Sequence, residues 1–371
     1  MTYRVNGLVS ALSKCVSYTD SRRQVQRKYS NAAGTVASAL TAAFQSLQGD
    51  RGAAEVTTTR KGSVTIGEWI MYLGTMLRRT ISIGVLIGFT HLTAGAAPAV
   101  TLKHVHGLAF SQDGQQLSIP SHDGLALYRD GHWSKAPGPE HDYMGFSAGR
   151  QAIYSSGHPA SGSALVNPLG LIKSSDGGST WQPLGLQGES DFHLLASGFD
   201  SGVIYVYNTR PNSKMTAPGL YYSLNDGATW QQSLAQGMGP EPRALAVHPT
   251  DSKTVAVVTS SGLFLSNDAG EHFQPVIPDV QVLSVSFSHD GKSLWFGSYE
   301  KVPKLSALDL KTHVINALGL PPLDEDAVAY LAQSPTNAQE WAIATLKRDV
   351  YLSQDEGKTW KAIAQAGQTL E

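Results

Sequence analysis

Ser174-Ser175-Asp176-Gly177-Gly178-Ser179-Thr180-Trp181 recurs along the chain, and that recurrence points to the fold. Ser223-Leu224-Asn225-Asp226-Gly227-Ala228-Thr229-Trp230 repeats it with Asn in the Asp slot, and Ser266-Asn267-Asp268-Ala269-Gly270-Glu271-His272-Phe273 repeats it with a weaker end. Ser353-Gln354-Asp355-Glu356-Gly357-Lys358-Thr359-Trp360 is the fourth copy. Ser174 to Ser223 is 49 residues, Ser223 to Ser266 is 43, and Ser266 to Ser353 is 87, about two periods, so one copy between the last two has decayed. A period in the forties points to an array of four-stranded sheets.

The motif has the chemistry of a turn. The Asp or Asn oxygen can accept backbone N–H groups of its own loop and the Ser hydroxyl can do so more weakly. Gly supplies the positive-φ position of a tight hairpin, and the closing Trp or Phe folds into apolar space between sheets. Ser174, Asp176, Gly178 and Trp181, with Ser223, Asn225, Gly227 and Trp230, Ser266, Asp268, Gly270 and Phe273, and Ser353, Asp355, Gly357 and Trp360, are therefore assigned structural roles.

These copies resemble the Asp box, or BNR repeat, of sialidases, sortilin-type receptors and photosystem II assembly factors. The resemblance implies an all-β fold, a β-propeller, and leaves function open, since such turns stabilise binding modules and enzymes alike.

Composition narrows the function classes. A formal charge of −2 and 16% charged residues over 371 residues argue against a nucleic-acid partner or a polybasic membrane surface. The single cysteine, Cys15, excludes an internal disulfide.

Residues 1–75 share no period with the rest and are expected to be disordered or to represent upstream translation, with Met76 as the true start. Met76-Leu77-Arg78-Arg79, the apolar Thr80–Leu92 and the small residues Ala94-Gly95-Ala96 form the three parts of a secretory signal peptide over 76–96, too short for a comfortable membrane span. A signal anchor is the competing reading. The mature chain is expected to be secreted or periplasmic, monomeric, and without a stable membrane span.

From about 104 to 371 the sequence reads as six blades, with seven as the alternative count. Their first strands begin near Val105, Asp142, Asp191, Arg243, Val282 and Ala327. Tyr128-Arg129-Asp130-Gly131-His132-Trp133 is a degenerate turn for the first blade, and Ala307-Leu308-Asp309-Leu310-Lys311-Thr312 fills the slot in the fifth. Radial four-stranded sheets leave only short, protected edges.

Strand direction then assigns faces. His104, His106, His122, His141, His158 and His193 fall on the face where the first strands begin, called the upper face below. His248 and His289 fall in turns on the opposite face and receive no role. His106, His122, His158 and His193 are grouped as the expected metal ligands, with Asp142 or Asp191 holding a ring N–H; such a set suits Zn, Cu, Ni or Fe. Taken singly, each of these histidines reads as a loop residue with its own backbone partner.

The segments carrying these histidines also resemble a bacterial Asp-box family labelled glycosyl hydrolase, over about 104–371 and most densely at 104–235. That resemblance implies a second reading, a glycoside hydrolase, which needs two carboxyl groups at a set separation. Asp142, Asp191 and Glu241 are the catalytic candidates, with Glu140 and Glu189 on the same face. A sialidase would also need an arginine triad. Arg210, Arg243 and Arg348 fall on upper loops, and Tyr299 beside Glu300 stands where a tyrosine nucleophile could, but the Arg-Ile-Pro opening of sialidases is missing. The ligand-binding candidates are His104, His106, His122, His158 and His193 together with Arg210 and Arg243. The expected partner is a glycan, a metal or a protein at the upper face, and a third reading is a scaffold for assembling other proteins.

Overall fold

The computed structural model describes residues 100–370. The leader assigned to 76–96 and the segment 1–75 lie outside the described residues. Within them every regular element is a strand, and no helix is long and apolar enough to cross a membrane.

Six antiparallel sheets follow one another along the chain. The first holds β1 (Ala109–Phe110), β2 (Gln116–Ser121), β3 (Gly124–Arg129) and β4 (His132–Lys135), and the second β5 (Asp142–Ala148), β6 (Ile153–His158), β7 (Leu171–Ser174) and β8 (Gln182–Gly185). The third holds β9 (Leu195–Ser197), β10 (Ile204–Asn208), β11 (Gly219–Ser223) and β12 (Gln231–Gln232), and the fourth β13 (Ala244–Val247), β14 (Val255–Thr259), β15 (Gly262–Ser266) and β16 (Gln274–Pro278). The fifth holds β17 (Val282–Phe287), β18 (Ser293–Glu300), β19 (Val302–Asp309) and β20 (Ile315–Leu318). The sixth holds β21 (Val328–Gln333), β22 (Trp341–Thr345), β23 (Val350–Ser353), β24 (Lys361–Gln365) and β25 (Gln368–Thr369).

The first strands β1, β5, β9, β13, β17 and β21 neighbour one another in turn, and β21 returns to β1, so the sheets close into a six-bladed β-propeller. Residues 100–102 and 367–369 lock this ring. Thr101 bridges Gln368, Leu102 N–H donates to Gly367 O at 2.7 Å, and Thr369 Oγ1 donates to Val100 O at 2.8 Å.

A closed ring of six blades has six interfaces, and the buried apolar residues fall into six clusters, one for each. Leu125, Leu127, Tyr143 and Ile172 join blades one and two, and Phe192, Ile204, Leu171 and Tyr221 join two and three. Val255, Val257, Tyr205 and Phe273 join three and four, Val258, Leu263, Leu294 and Phe296 join four and five, and Trp295, Trp341 and Ile343 join five and six. Leu117, Ile119, Ala342 and Val350 complete the circle. A strand inside a blade is covered on both faces, which explains uninterrupted apolar runs such as Val255-Ala256-Val257-Val258 in place of alternation.

The repeated turn has one geometry in four blades. Gly178 N–H donates to Ser174 Oγ at 2.8 Å, Ser174 Oγ–H to Asp176 Oδ1 at 2.9 Å, and Thr180 N–H to Asp176 Oδ1 at 2.8 Å. The equivalent bonds recur around Ser223 and Asn225, Ser266 and Asp268, and Ser353 and Asp355, at 2.8–3.0 Å. Where the third copy has His272 for Thr, its Nδ1 meets Asp268 Oδ2 at 2.8 Å and replaces the hydroxyl. These bonds stabilise the ionised carboxylates and hold Asp268 and Asp355 at pKa values of about 2.

Two constraints select the motif glycine. Gly178 has φ 91° and Gly270 has φ 80°, and a Cβ there would lie 2.6 Å from Leu125 Cδ2 and 2.8 Å from Leu220 Cδ2, both on the preceding blade. Each turn therefore docks on the blade before it. The degenerate first-blade turn does the same job differently. Asp130-Gly131 forms a two-residue hairpin with both φ positive, and Trp133 Nε1–H donates to Ile363 O of blade six at 3.0 Å. In the fifth blade Asp309 Oδ1 accepts the N–H groups of Lys311 and Thr312.

The closing aromatics depart from the expectation that all four are buried alike. Phe273 is buried at 3% exposure, whereas Trp181, Trp230 and Trp360 are half-buried at the rim of their clusters. An indole is too large to vanish into a gap that accepts a phenyl ring. Truncation should follow burial. Phe273→Ala is expected to cost about 3–5 kcal/mol and Trp230→Ala no more than about 3 kcal/mol, read from urea midpoints of the two variants.

Candidate functional site

The first strands of all six blades line a central channel of about 240 Å³, with His106, His193 and Arg243 in its wall. His104 and His106 precede β1 in an irregular stretch, not on the long first strand expected from sequence. Backbone bonds fix this stretch. His106 N–H donates to Pro120 O at 3.1 Å, and Arg348 Nη1 donates to Lys103 O at 3.0 Å. His122 sits in the β2–β3 hairpin, two residues beyond Pro120. The hairpin is tied to the second blade by Gly124 N–H to His141 O at 3.0 Å, and Lys103 Nζ pairs with Asp123 Oδ2 at 2.6 Å.

These ties bring three imidazoles together. One nitrogen from each of His104, His106 and His122 lies within 4.8 Å of the others. His106 Nε2 and His122 Nε2 are 3.3 Å apart, and the ring of His104 is 4.5 Å from that of His122 and 5.7 Å from that of His106, centroid to centroid. Asp142 Oδ2, at the start of β5, lies 2.9 Å from His122 Nδ1. An ionised carboxylate only accepts, so Nδ1 carries the proton and a neutral His122 presents the Nε2 lone pair to the group.

Burial and the neighbouring His122 push the pKa of His106 from 6.5 down to about 4, although Asp142 acts in the opposite direction. Its neutral form, the one that can ligate a metal, is thus favoured by the fold.

His158 and His193 join a different centre. Asp191 Oδ2 lies 3.2 Å from His158 Nε2 and 2.8 Å from His193 Nε2, and His158 Nδ1 meets Asn167 Oδ1 at 2.7 Å. The four-histidine grouping expected from sequence is accordingly divided: His104 stands with His106 and His122, while His158 and His193 turn to Asp191. The two centres are adjacent, because Asp142 and His158 are directly paired across β5 and β6. His141 is structural, its Nδ1 accepting Ala160 N–H at 2.9 Å. His248 Nε2 meets Gly291 O at 3.1 Å and His289 Nε2 meets Gln333 O at 2.9 Å, away from the upper face.

The candidate carboxylates are each engaged. Asp142 and Asp191 hold imidazoles through Oδ2, and their Oδ1 atoms are buried without a partner among the described residues. Glu241 pairs with Arg243 at 3.2 Å, Glu140 with Lys135 at 2.5 Å, and Glu300 with Lys304 at 2.5 Å. Glu189 accepts Ser213 N–H at 2.6 Å. Arg210 and Arg243 line a cleft beside Asp191 and His193. Arg348, a candidate for the arginine triad, instead spends its guanidinium on Lys103 O. The sequence placed His104 on the right face and among the ligand-binding candidates but outside the metal set, and no sequence signal marks Arg348 or Lys103 as supports.

No protein-family model and no curated protein matches the chain. Solved structures do match its fold. A GH74 enzyme from Niastella koreensis superposes with TM-score 0.50 at 13% identity over 73% of this chain and 46% of that one. The tricorn protease superposes with TM-score 0.53 at 14% identity over 73% of this chain and 27% of that one. YCF48 bound to D1 peptide matches with TM-score 0.43 at 19% identity over 72% and 82%. The chain spans less than half the length of the first two. At these identities the likeness is one of fold.

The lowered pKa of His106 has a consequence for the metal-free protein. The unfolded chain takes up this proton near pH 6.5 and the folded chain only near pH 4, so the contribution of His106 to stability falls as pH drops through that window. The group is partly exposed and screened, which reduces the effect at pH 5 to about 1 kcal/mol. With chelator present, His106→Gln is expected to lose about 1 kcal/mol less stability than the parent between pH 7 and pH 5, measured by urea unfolding at both pH values.

Proposed function

We propose that this chain is an exported Asp-box propeller whose upper face binds one divalent transition metal through His104, His106 and His122. The observation that carries the reading is the 3.3 Å separation of His106 Nε2 and His122 Nε2. Two imidazole nitrogens about 2.0–2.1 Å from a tetrahedral ion must lie about 3.3–3.4 Å apart. His104 brings a third nitrogen within reach. Asp142 stands behind His122 as the carboxylate that fixes a ligating histidine's tautomer. Three neutral nitrogens without a thiolate suit Zn, Cu, Ni or Fe. With three protein donors, a fourth position is left for a ligand from the channel, as in metal sites that accept exogenous groups.

The Asp-box assignment is supported by the four copies of one hydrogen-bonded turn. Export is supported by the tripartite segment 76–96. Binding is favoured over glycoside hydrolysis because Asp142, Asp191 and Glu241 already hold histidine or arginine partners.

Zinc titration of the purified chain by calorimetry tests this reading. One equivalent should bind, His106→Ala and His122→Ala should each abolish retention through a desalting column, and Asp142→Asn should weaken affinity about 10–100-fold. His158→Ala should leave zinc affinity unchanged. Equal uptake by the parent and the double variant His106→Ala/His122→Ala would place any metal elsewhere.

A further inference from the structure

A second feature of the upper face opens into the same channel. Ser190, Asp191, His193, Tyr207, Arg210 and Arg243 contribute to the wall of a cleft of about 890 Å³ between blades three and four. His193 and Arg243 also line the channel, so the cleft and the histidine group share a wall. The loop that carries Arg210 is braced from inside: Asn208, buried at 2% exposure, donates Nδ2–H to Arg210 O at 2.6 Å and to Ala217 O at 3.2 Å. The Arg210 guanidinium takes part in no ion pair among the described residues. Among the described residues the Arg243 guanidinium pairs with Glu241 alone, across a 3.2 Å contact between two exposed side chains, 48% and 73% accessible. Such a pair contributes little and exchanges readily.

The charge balance of this mouth depends on the metal. Arg210 and Arg243 share the wall of the cleft with two carboxylates, Asp191 and Glu241, so these four side chains balance in charge. A divalent ion on the three imidazoles adds two positive charges beside the cleft. We propose that the cleft is the subsite for a small organic anion, carboxylate or phosphate, clamped by Arg210 and Arg243, whose binding requires the metal. The proposal rests on the metal reading above. The planar guanidinium offers paired donors to either anion. The ion supplies the remaining field and, at its fourth position, a bond to an oxygen of the ligand. Coupling of this kind is reciprocal, so the anion must tighten the metal by the factor by which the metal tightens the anion.

Glucuronate, glucose 6-phosphate and glucose form one probe series that differs in the charged group. They are titrated into zinc-loaded and chelator-treated protein, and into Arg210→Gln/Arg243→Gln and Glu241→Gln variants. At least one of the two anions should bind the zinc-loaded parent, and which one it is identifies the group. Glucose should not bind. Affinity is expected to fall about tenfold or more when zinc is removed. It should fall by a similar factor in the double arginine variant and rise in Glu241→Gln, which frees Arg243. The three side chains altered are exposed, and zinc affinity without anion should be the same in every variant, which separates the two claims. Protein that takes no zinc removes both. Protein that takes zinc but binds neither anion, or binds one equally well without zinc or without the arginines, overturns the subsite alone.

Discussion

The docking of each blade onto the one before it is the constraint from which the remaining structure follows. A single four-stranded sheet here has two apolar faces and no means of covering either. Stacking sheets radially covers both, but only if the ring closes, and closure leaves six interfaces to be filled. The Ser–Asp turn is the device that seals them at the lower rim. Its serine hydroxyl bonds both the motif glycine and the motif Asp or Asn oxygen, that oxygen accepts a backbone N–H further on, and in three of the four copies the glycine brings backbone against an apolar side chain of the preceding blade. Val100, Leu102 and Gly367 then join the last blade to the first.

Closure also makes the site. His104 and His106 stand directly after the segment that pairs with the C-terminal strand, and Arg348 of the sixth blade holds the carbonyl just before His104. His122 belongs to the first blade but is oriented by Asp142 of the second. The histidine group therefore draws on blades six, one and two. Metal binding is expected to report on ring integrity, since ligand and support residues come from both ends of the circle.

The fold was legible because its signal is periodic. Ser, Asp or Asn, Gly and an aromatic recur at fixed offsets around Ser174, Ser223, Ser266 and Ser353, and each needs its neighbours for one hydrogen-bonded turn. Even the decayed turns kept a recoverable trace, Asp130-Gly131 and Asp309. The site was legible only in part. Strand direction placed His104, His106, His122, His158 and His193 on one face, but a face is coarser than a 3 Å contact. Which imidazoles meet depends on where Asp191 and Asp142 fall between blades, and on an irregular stretch before β1 that alternation does not describe. The half-buried tryptophans show the same limit, because motif position fixes the direction of a ring and the space between blades fixes its depth.

X-ray absorption at the zinc edge of the loaded protein locates the bound metal. A first shell of three imidazole nitrogens with one further light donor, at about 2.0–2.1 Å, is expected, together with loss of the imidazole outer-shell scattering in His106→Ala/His122→Ala. A spectrum dominated by oxygen donors, or one unchanged by those two substitutions, would contradict this coordination.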